Sequence, residues 1–245
     1  MTAGSLTDRW QQELTAVARP EKVSILSSFF KTGKGEYGYG DRFIGVTVPD
    51  NRAIAVKYAI QAGFDDIAEM LDSPVHEHRL SGFLALVQRY RKTKNRDSQI
   101  EIIDFYLNNA TKANNWDLVD LSAPYILGSH MVINPDPELL DRLSHSDNIW
   151  LQRIAIVATL MLIRNDRTDD TIRIARRYLT HQHPLIHKAT GWMLREVGKR
   201  DKSKLLHFLD LHAPQMPRTM LRYAIERLEQ DERLRYMSSR PRRQE

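Results

Sequence analysis

Apolar residues along this chain recur at spacings of three and four. The pattern runs through Ala53–Ile60, Leu80–Tyr90, Ile100–Leu107, Leu151–Ile163, Ile172–Leu179, Leu185–Val197 and Leu205–Leu211. Such spacing paints one face of a helix with about 3.6 residues per turn, so each stretch is predicted helical. Start signals precede them: Pro49-Asp50, Asp97-Ser98, Pro135 to Pro137, Ser146-Asp147, His183-Pro184 and Ala213-Pro214. A proline at the first helical position loses no hydrogen bond, and a short polar side chain can cap the open amides. No convincing series of alternating strand patterns competes with the helices.

The predicted helices are short and fall into pairs joined by polar turns, recurring about every 35 to 40 residues, in the range of HEAT-like repeats. One pair cannot cover its own apolar face and must stack on the next. The expected fold is therefore all-α, a curved solenoid of HEAT-like antiparallel helix pairs with a concave basic face. A compact irregular helical bundle is the plainer alternative. Residues 1–235 are expected to form a single repeat domain. Residues 236–245, with Arg240, Arg242 and Arg243 around Pro241, read as a basic flexible C-terminal tail.

Composition narrows the function classes. The chain has 245 residues, a formal net charge of +5 and a pI of about 9.4, which admits a polyanionic partner without requiring one. It has no cysteine, so disulfides, thiolate chemistry and the common structural zinc sites are excluded. No apolar run reaches the roughly 18 residues of a membrane span, and the first ten residues lack a signal-peptide pattern. A cytoplasmic protein is expected, with no membrane partner. The nine histidines are scattered. His76 and His78, like His181 and His183, lie two apart, off a common helical face, and read as loop or surface residues. No metal site and no cofactor are expected.

One segment departs from the helical pattern: Lys31-Thr-Gly-Lys-Gly-Glu-Tyr-Gly-Tyr-Gly-Asp-Arg-Phe43. It lacks the strand and Gly-Lys-Ser/Thr of a Walker loop. It reads as a flexible connector, with a phosphate-contacting loop as the alternative.

Three segments place aromatic, acidic and basic groups on separate helices: Asn114-Asn-Trp116-Asp-Leu-Val-Asp120-Leu, Ser146-Asp-Asn-Ile-Trp150-Leu-Gln-Arg153, and Ile186-His-Lys188-Ala-Thr-Gly-Trp192-Met-Leu-Arg195-Glu-Val-Gly-Lys199. On a helix Trp116 and Asp120 share a face, and Asp117 points about a quarter turn or more away. Trp150 and Arg153, and Trp192 and Arg195, are three apart. Each residue also has an ordinary reading: a tryptophan in the core, Asp117 as a cap, an arginine in a surface ion pair. Periodicity alone stops at a helical repeat protein.

These segments resemble the AlkD family of DNA alkylation repair glycosylases. The likeness is most specific in Ser146–Arg153 and Lys188–Glu196, with Trp-Asp-x-Val-Asp at 116–120 in the expected order. Phe43-Ile-Gly-Val-Thr-Val-Pro49 and Arg52 resemble it too, so the similarity covers roughly residues 20 to 230. The resemblance implies a catalytic group of Asp120, Trp116, Trp192 and Arg153, and DNA contacts from Arg52, Gln152, Lys188, Arg195 and Lys199. Asn115 departs from members with a second tryptophan there, and the family's early aromatic residue aligns only loosely, with Phe29 or Phe30.

The implied activity is a monofunctional glycosylase removing cationic alkylated purines, of the 7-methylguanine and 3-methyladenine type, from double-stranded DNA as the first step of base excision repair. The chemistry suits the residues. A cationic base leaves as a neutral purine and needs little protonation, so the developing oxocarbenium sugar is what requires a fixed carboxylate. Tryptophan faces favour cations. Arg153 has two open roles, holding a phosphate or steadying Asp120. The alternatives are a catalytically silent scaffold that binds DNA or RNA, and a protein–protein adaptor. A monomer is expected.

Overall fold

The structure is a computed structural model, and it describes residues 4–238. Its regular structure is helical. Among the described residues no strand forms, and backbone pairing of that kind is limited to one isolated bridge between Arg42 and Val75. The helices stack in antiparallel pairs, the build of a HEAT-like solenoid. No helix among the described residues is long and apolar enough to cross a membrane.

The chain divides into two compact units, one up to Ile126 and one from Leu127 on. The first holds α1 (Leu6–Ala16), α2 (Val23–Phe29), α3 (Val48–Gln61), α4 (Phe64–Asp72), α5 (His76–Lys92), α6 (Arg96–Asn108) and α7 (Trp116–Asp120). The second holds α8 (Ser129–Ile133), α9 (Pro137–Ser144), α10 (Ile149–Arg164), α11 (Asp169–Arg177), α12 (Pro184–Arg200), α13 (Lys202–His212), α14 (Arg218–Ala224) and α15 (Gln230–Ser238).

Local chemistry sets the helix starts. Side chains of Asn95, Asp136 and Asn148 accept the amides of Ser98, Leu139 and Trp150 at 2.8–2.9 Å, opening α6, α9 and α10. Proline stands in the first turn of α3, α9 and α12. Each device satisfies or removes an amide that the helix leaves open. One expected start is corrected. Ala213-Pro214 opens a short 3-10 turn, Ala213–Gln215, and α14 begins only after Pro217. A proline starts a 3-10 turn as readily as an α-helix, so the dipeptide does not distinguish them. Of the residues expected in the tail, 236–238 are the end of α15, with Tyr236 buried, and residues 239–245 lie outside the described residues.

Three long helices carry the cores. In the first unit α5 is buried from His76 through Val87, with α3 and α4 packed along it. Trp10 of α1 joins this core, stacked on Tyr58 at 4.9 Å and donating from Nε1 to Ser81 Oγ at 2.8 Å. In the second unit α10 and α12 pack on each other, α9 and α11 cover α10, and α13 and α14 cover α12.

The α12–α14 contact depends on a missing side chain. A Cβ at Gly191 would stand 2.4 Å from the Met220 carbonyl oxygen and 2.6 Å from Tyr223 Cβ. Alanine gains about 1 kcal/mol over glycine in a helix interior, but overpacking costs about 1–3 kcal/mol. Gly191→Ala is expected to lower stability in chemical denaturation despite that preference. Equal or higher stability would show that α14 yields without cost.

Candidate functional site

The first unit contains a cavity of about 480 Å³ walled largely by aromatic and aliphatic side chains, among them Leu26, Phe30, Phe43 and Trp116. Phe30 stacks on Trp116 (centroids 5.0 Å apart, planes at 16°) and on Phe43 (5.1 Å, 19°), while Phe29 meets Trp116 edge-on at 5.6 Å. Trp116 keeps part of its surface open. Both early aromatic candidates thus reach Trp116: Phe30 buried beneath it and Phe29, 61% exposed, at its edge.

The two carboxylates of α7 have different surroundings. Asn115 caps the helix, its Oδ1 accepting the Trp116 amide at 2.9 Å. Asp117, expected as a possible cap, is instead a buried partner of another helix. Its Oδ1 accepts the Leu118 amide at 2.9 Å and its Oδ2 faces His76 Nε2 at 2.9 Å. Asp120, one turn on, is half-buried and lines the cavity with Trp116. The spacing of four brings these two to one wall, as the sequence predicts.

His76 is where the sequence reading needs correction. It sits at the first position of α5 and is 1% exposed, and His78 is 7% exposed; neither is a surface residue. The His76 imidazole faces Asp41 Oδ2 through Nδ1 at 3.0 Å and Asp117 through Nε2. Arg79, one turn along α5, binds the other Asp41 oxygen and donates to the Ser73 carbonyl at 2.8 Å. The Asn115 amide reaches Asp41 at 3.2 Å. Phe43 stacks on the imidazole at 4.6 Å and Phe30 lies tilted at 5.0 Å. Burial by itself disfavours the charged ring, but Asp117 and Asp41 outweigh it and push the His76 pKa up to about 9. Burial likewise works against the Asp41 carboxylate, yet His76 and Arg79 hold it below the usual range.

Glu77 does a second anchoring task. Its buried carboxylate collects the backbone amides of Ile44, Gly45 and Val46, with the shortest contact 2.8 Å to Gly45. Gly45 is required for that turn: its φ is +89°, and a Cβ would lie 2.0 Å from the Arg19 carbonyl oxygen. The Phe43–Pro49 segment is thereby strapped to the start of α5. The glycine-rich stretch before it is a chain of turns, and its Asp41 is the residue that binds His76 and Arg79.

The remaining expected site residues are on α3, α10 and α12. Arg52 is half-buried on α3. On α10, Arg153 is buried and donates from Nη1 to the Leu185 carbonyl at 2.7 Å. The Gln152 amide is spent inside the second unit, donating to Ser146 O at 2.6 Å and facing His181 Nε2 at 2.8 Å. On α12, Trp192 is half-buried and Lys188 exposed. Arg195 pairs with Glu226 and Glu196, and Lys199 with Glu196 at 2.7 Å. His76, Asp41 and Glu77 are the residues that sequence reasoning missed. The available signal was His76-Glu-His-Arg79, four polar residues directly ahead of the largely apolar stretch Leu80–Val87. Among the described residues no group of three His, Asp or Glu side chains is arranged to hold a metal ion.

Stacked helix pairs, with a carboxylate set against part-open tryptophan in one unit, define the class: a helical-repeat protein with a polar site beside an aromatic-walled cavity. The chain belongs to the family described as DNA alkylation repair enzyme, whose model matches residues 10–228. It shares its fold with a solved structure titled a predicted DNA alkylation repair enzyme from Enterococcus faecalis. The two are 17% identical, with a TM-score of 0.68 over 87% of this chain and 97% of that one. No curated protein matches the chain.

The buried histidines give opposite pH responses. His76 is raised above its ordinary 6.5, so its stabilisation is complete below that pH and is lost as pH climbs through about 9. His78 is lowered by burial to about 4, so its contribution is present above 6.5 and lost as pH falls toward 4. His76→Gln is expected to be less stable than the parent at pH 6, with the gap closing by the order of 3 kcal/mol up to pH 10. Denaturation midpoints at pH 6, 8 and 10 measure this; a gap independent of pH would mean that folding leaves the His76 pKa unchanged.

Proposed function

We propose that this protein is a monofunctional DNA glycosylase that hydrolyses the N-glycosidic bond of cationic alkylated purines, of the 7-methylguanine and 3-methyladenine type, in double-stranded DNA. The observation that carries the reading is the sorting of the α7 carboxylates. Both line the aromatic cavity with Trp116, but Asp117 is buried and bound to His76, while Asp120 is half-buried. Membership of a DNA alkylation repair family supports the same reading.

In the proposed reaction the bond from C1′ to the base nitrogen breaks, and its electron pair leaves with the base. The cationic purine departs neutral. The sugar carries the developing positive charge, which the Asp120 carboxylate stabilises and Trp116 favours through its ring face. Water adds to C1′ and gives up its proton to Asp120 or to solvent. No strong general acid is needed, because the leaving group is already charged.

In the second unit the reading assigns Trp192 a second aromatic face toward the cationic nucleotide. Arg153 is assigned to phosphate or to the catalytic carboxylate. Arg52, Gln152, Lys188, Arg195 and Lys199 are assigned to the DNA backbone. Arg195 and Lys199 already hold acidic partners, so contact with phosphate would require them to exchange one anion for another. Cationic contacts to phosphate release counterions, so duplex binding should weaken steeply with salt.

Base release from a duplex carrying one 7-methylguanine tests the proposal. Asp120→Asn is expected to lower release about 100- to 1000-fold, or about 3 to 4 kcal/mol of barrier, without weakening duplex affinity, since it removes a negative charge from a surface facing a polyanion. Trp192→Ala should also slow release. A parent protein that binds duplex yet releases neither 7-methylguanine nor 3-methyladenine would be a DNA-binding scaffold. A parent whose binding ignores salt would not be a DNA-binding protein of this kind.

A further inference from the structure

The Asp120 helix is five residues long. An isolated helix of that length does not hold itself together, because its nucleation cost exceeds what so few hydrogen bonds return. Its geometry must therefore come from what it packs against. One end is tied by Asp117 to His76 at 2.9 Å, and His76 is tied by its other nitrogen to Asp41 at 3.0 Å. The same imidazole packs on Phe43 and Phe30, and Phe30 is the ring on which Trp116 stacks. Thus Trp116 connects to His76 through Phe30, and Asp117, three residues before Asp120 on the same short helix, binds His76 directly, although His76 belongs to another helix.

We infer that His76 is a positioning residue for the glycosylase site, acting as a doubly protonated imidazolium that bridges Asp41 and Asp117 and so holds Asp120 and Trp116 in place. This rests on the glycosylase reading above. A carboxylate only accepts, and a neutral imidazole donates from one nitrogen only. With carboxylate oxygens facing both nitrogens, both hydrogen bonds exist only if both nitrogens carry a proton. The charged groups facing His76 are Asp41 from the glycine-rich segment and Asp117 from α7. Arg79, on its own helix, is bound to Asp41. The guanidinium matches one of the two carboxylates, Asp41, and an imidazolium matches the other. The neighbouring Glu77 turns away to the amides of residues 44–46; Lys22 and Asp120 complete the charged groups on the cavity wall.

The raised pKa of His76 agrees with this geometry. When the proton is lost, one of the two carboxylates loses its donor inside an apolar setting, where an unmatched charge is costly. Either the glycine-rich segment or α7 is then released, and the carboxylate moves relative to the sugar. Misplacement by about 1 Å can cost on the order of a hundredfold in rate.

The test is single-turnover release of 3-methyladenine from methylated duplex DNA with enzyme in excess, between pH 6 and 10. That lesion has no ring N–H to ionise over this range. The rate at saturating enzyme and the half-saturating concentration are read separately. Nitrogen NMR of histidine-labelled protein follows His76 over the same pH values. In the parent protein both His76 nitrogens should be protonated at pH 7, and the rate should fall on the alkaline side along the same curve as the His76 resonance. His76→Gln, checked for folding at pH 7, should lose roughly 10- to 100-fold in rate with half-saturation unchanged. Asp117→Asn keeps an acceptor for Nε2 but removes its charge. It should shift both the alkaline limb and the His76 titration to lower pH and recover part of the rate lost in His76→Gln.

A His76 that carries one proton at pH 7 overturns the inference, as does a folded His76→Gln with the parent rate. An alkaline limb that ignores the His76 titration does the same, and this comparison needs only the parent protein should His76→Gln fail to fold. A parent that releases no base overturns the glycosylase reading itself and this inference with it, an outcome distinct from an active parent that is indifferent to His76.

Discussion

A charge taken into an apolar interior must bring its partners with it, because burying it alone costs far more than a domain's net stability allows. At the start of α5, His76, Glu77, His78 and Arg79 are all buried in succession. The chain answers by delivering acceptors and donors from far away in sequence. Asp41 comes back to His76 and Arg79, Asp117 forward to His76, and the amides of residues 44–46 to Glu77. The glycine-rich segment, the Phe43–Pro49 strap and α7 all take their places from these few contacts. Elsewhere the helix pairs are joined mainly by apolar packing, which is non-directional and tolerates small shifts. Here the geometry is directional.

The same constraint separates two carboxylates that sit three residues apart on one short helix. Asp117 has one oxygen on a backbone amide and the other on His76, so its charge is already compensated. Asp120 stands at the cavity wall beside a tryptophan that keeps part of its surface open. Environment, more than residue type, assigns roles to paired acids. In the proposed reaction it is Asp120 that faces the oxocarbenium sugar, and its neighbour Asp117 takes the contact with His76. In the second unit the cations of α12 show another economy: Arg195 and Lys199 lean on Glu226 and Glu196, which places them without removing them from the surface.

The helices could be read from the sequence because the signal is local. Apolar spacing of three and four, a cap such as Asn148 or Asp136 and a first-turn proline act within a few residues. The Trp116–Asp120 pairing was legible for the same reason, since four residues on a helix fix a common face whatever lies opposite. The resemblance in the segments around Trp116, Arg153 and Trp192 pointed to the family whose model spans residues 10–228. His76 was misread because a histidine two residues from another, at a helix start, has no local mark of burial. The glycine-rich segment looked like a connector because its Asp41 finds partners 35 and 38 positions away.

What the sequence by itself determined, then, is what one helical turn can encode: where the helices lie, which faces are apolar, where most of them start, and which side chains share a face on α7. Only the tertiary structure decided which of two neighbouring aspartates is spent on a histidine, which phenylalanine stacks beneath Trp116, and that a histidine at a helix start is buried between two carboxylates. The physical reason is range. Helical periodicity and capping are satisfied by neighbours in sequence. The pairing of a buried charge is satisfied only by whichever residue the fold carries to within about 3 Å of it, and no pattern in the chain names that residue beforehand.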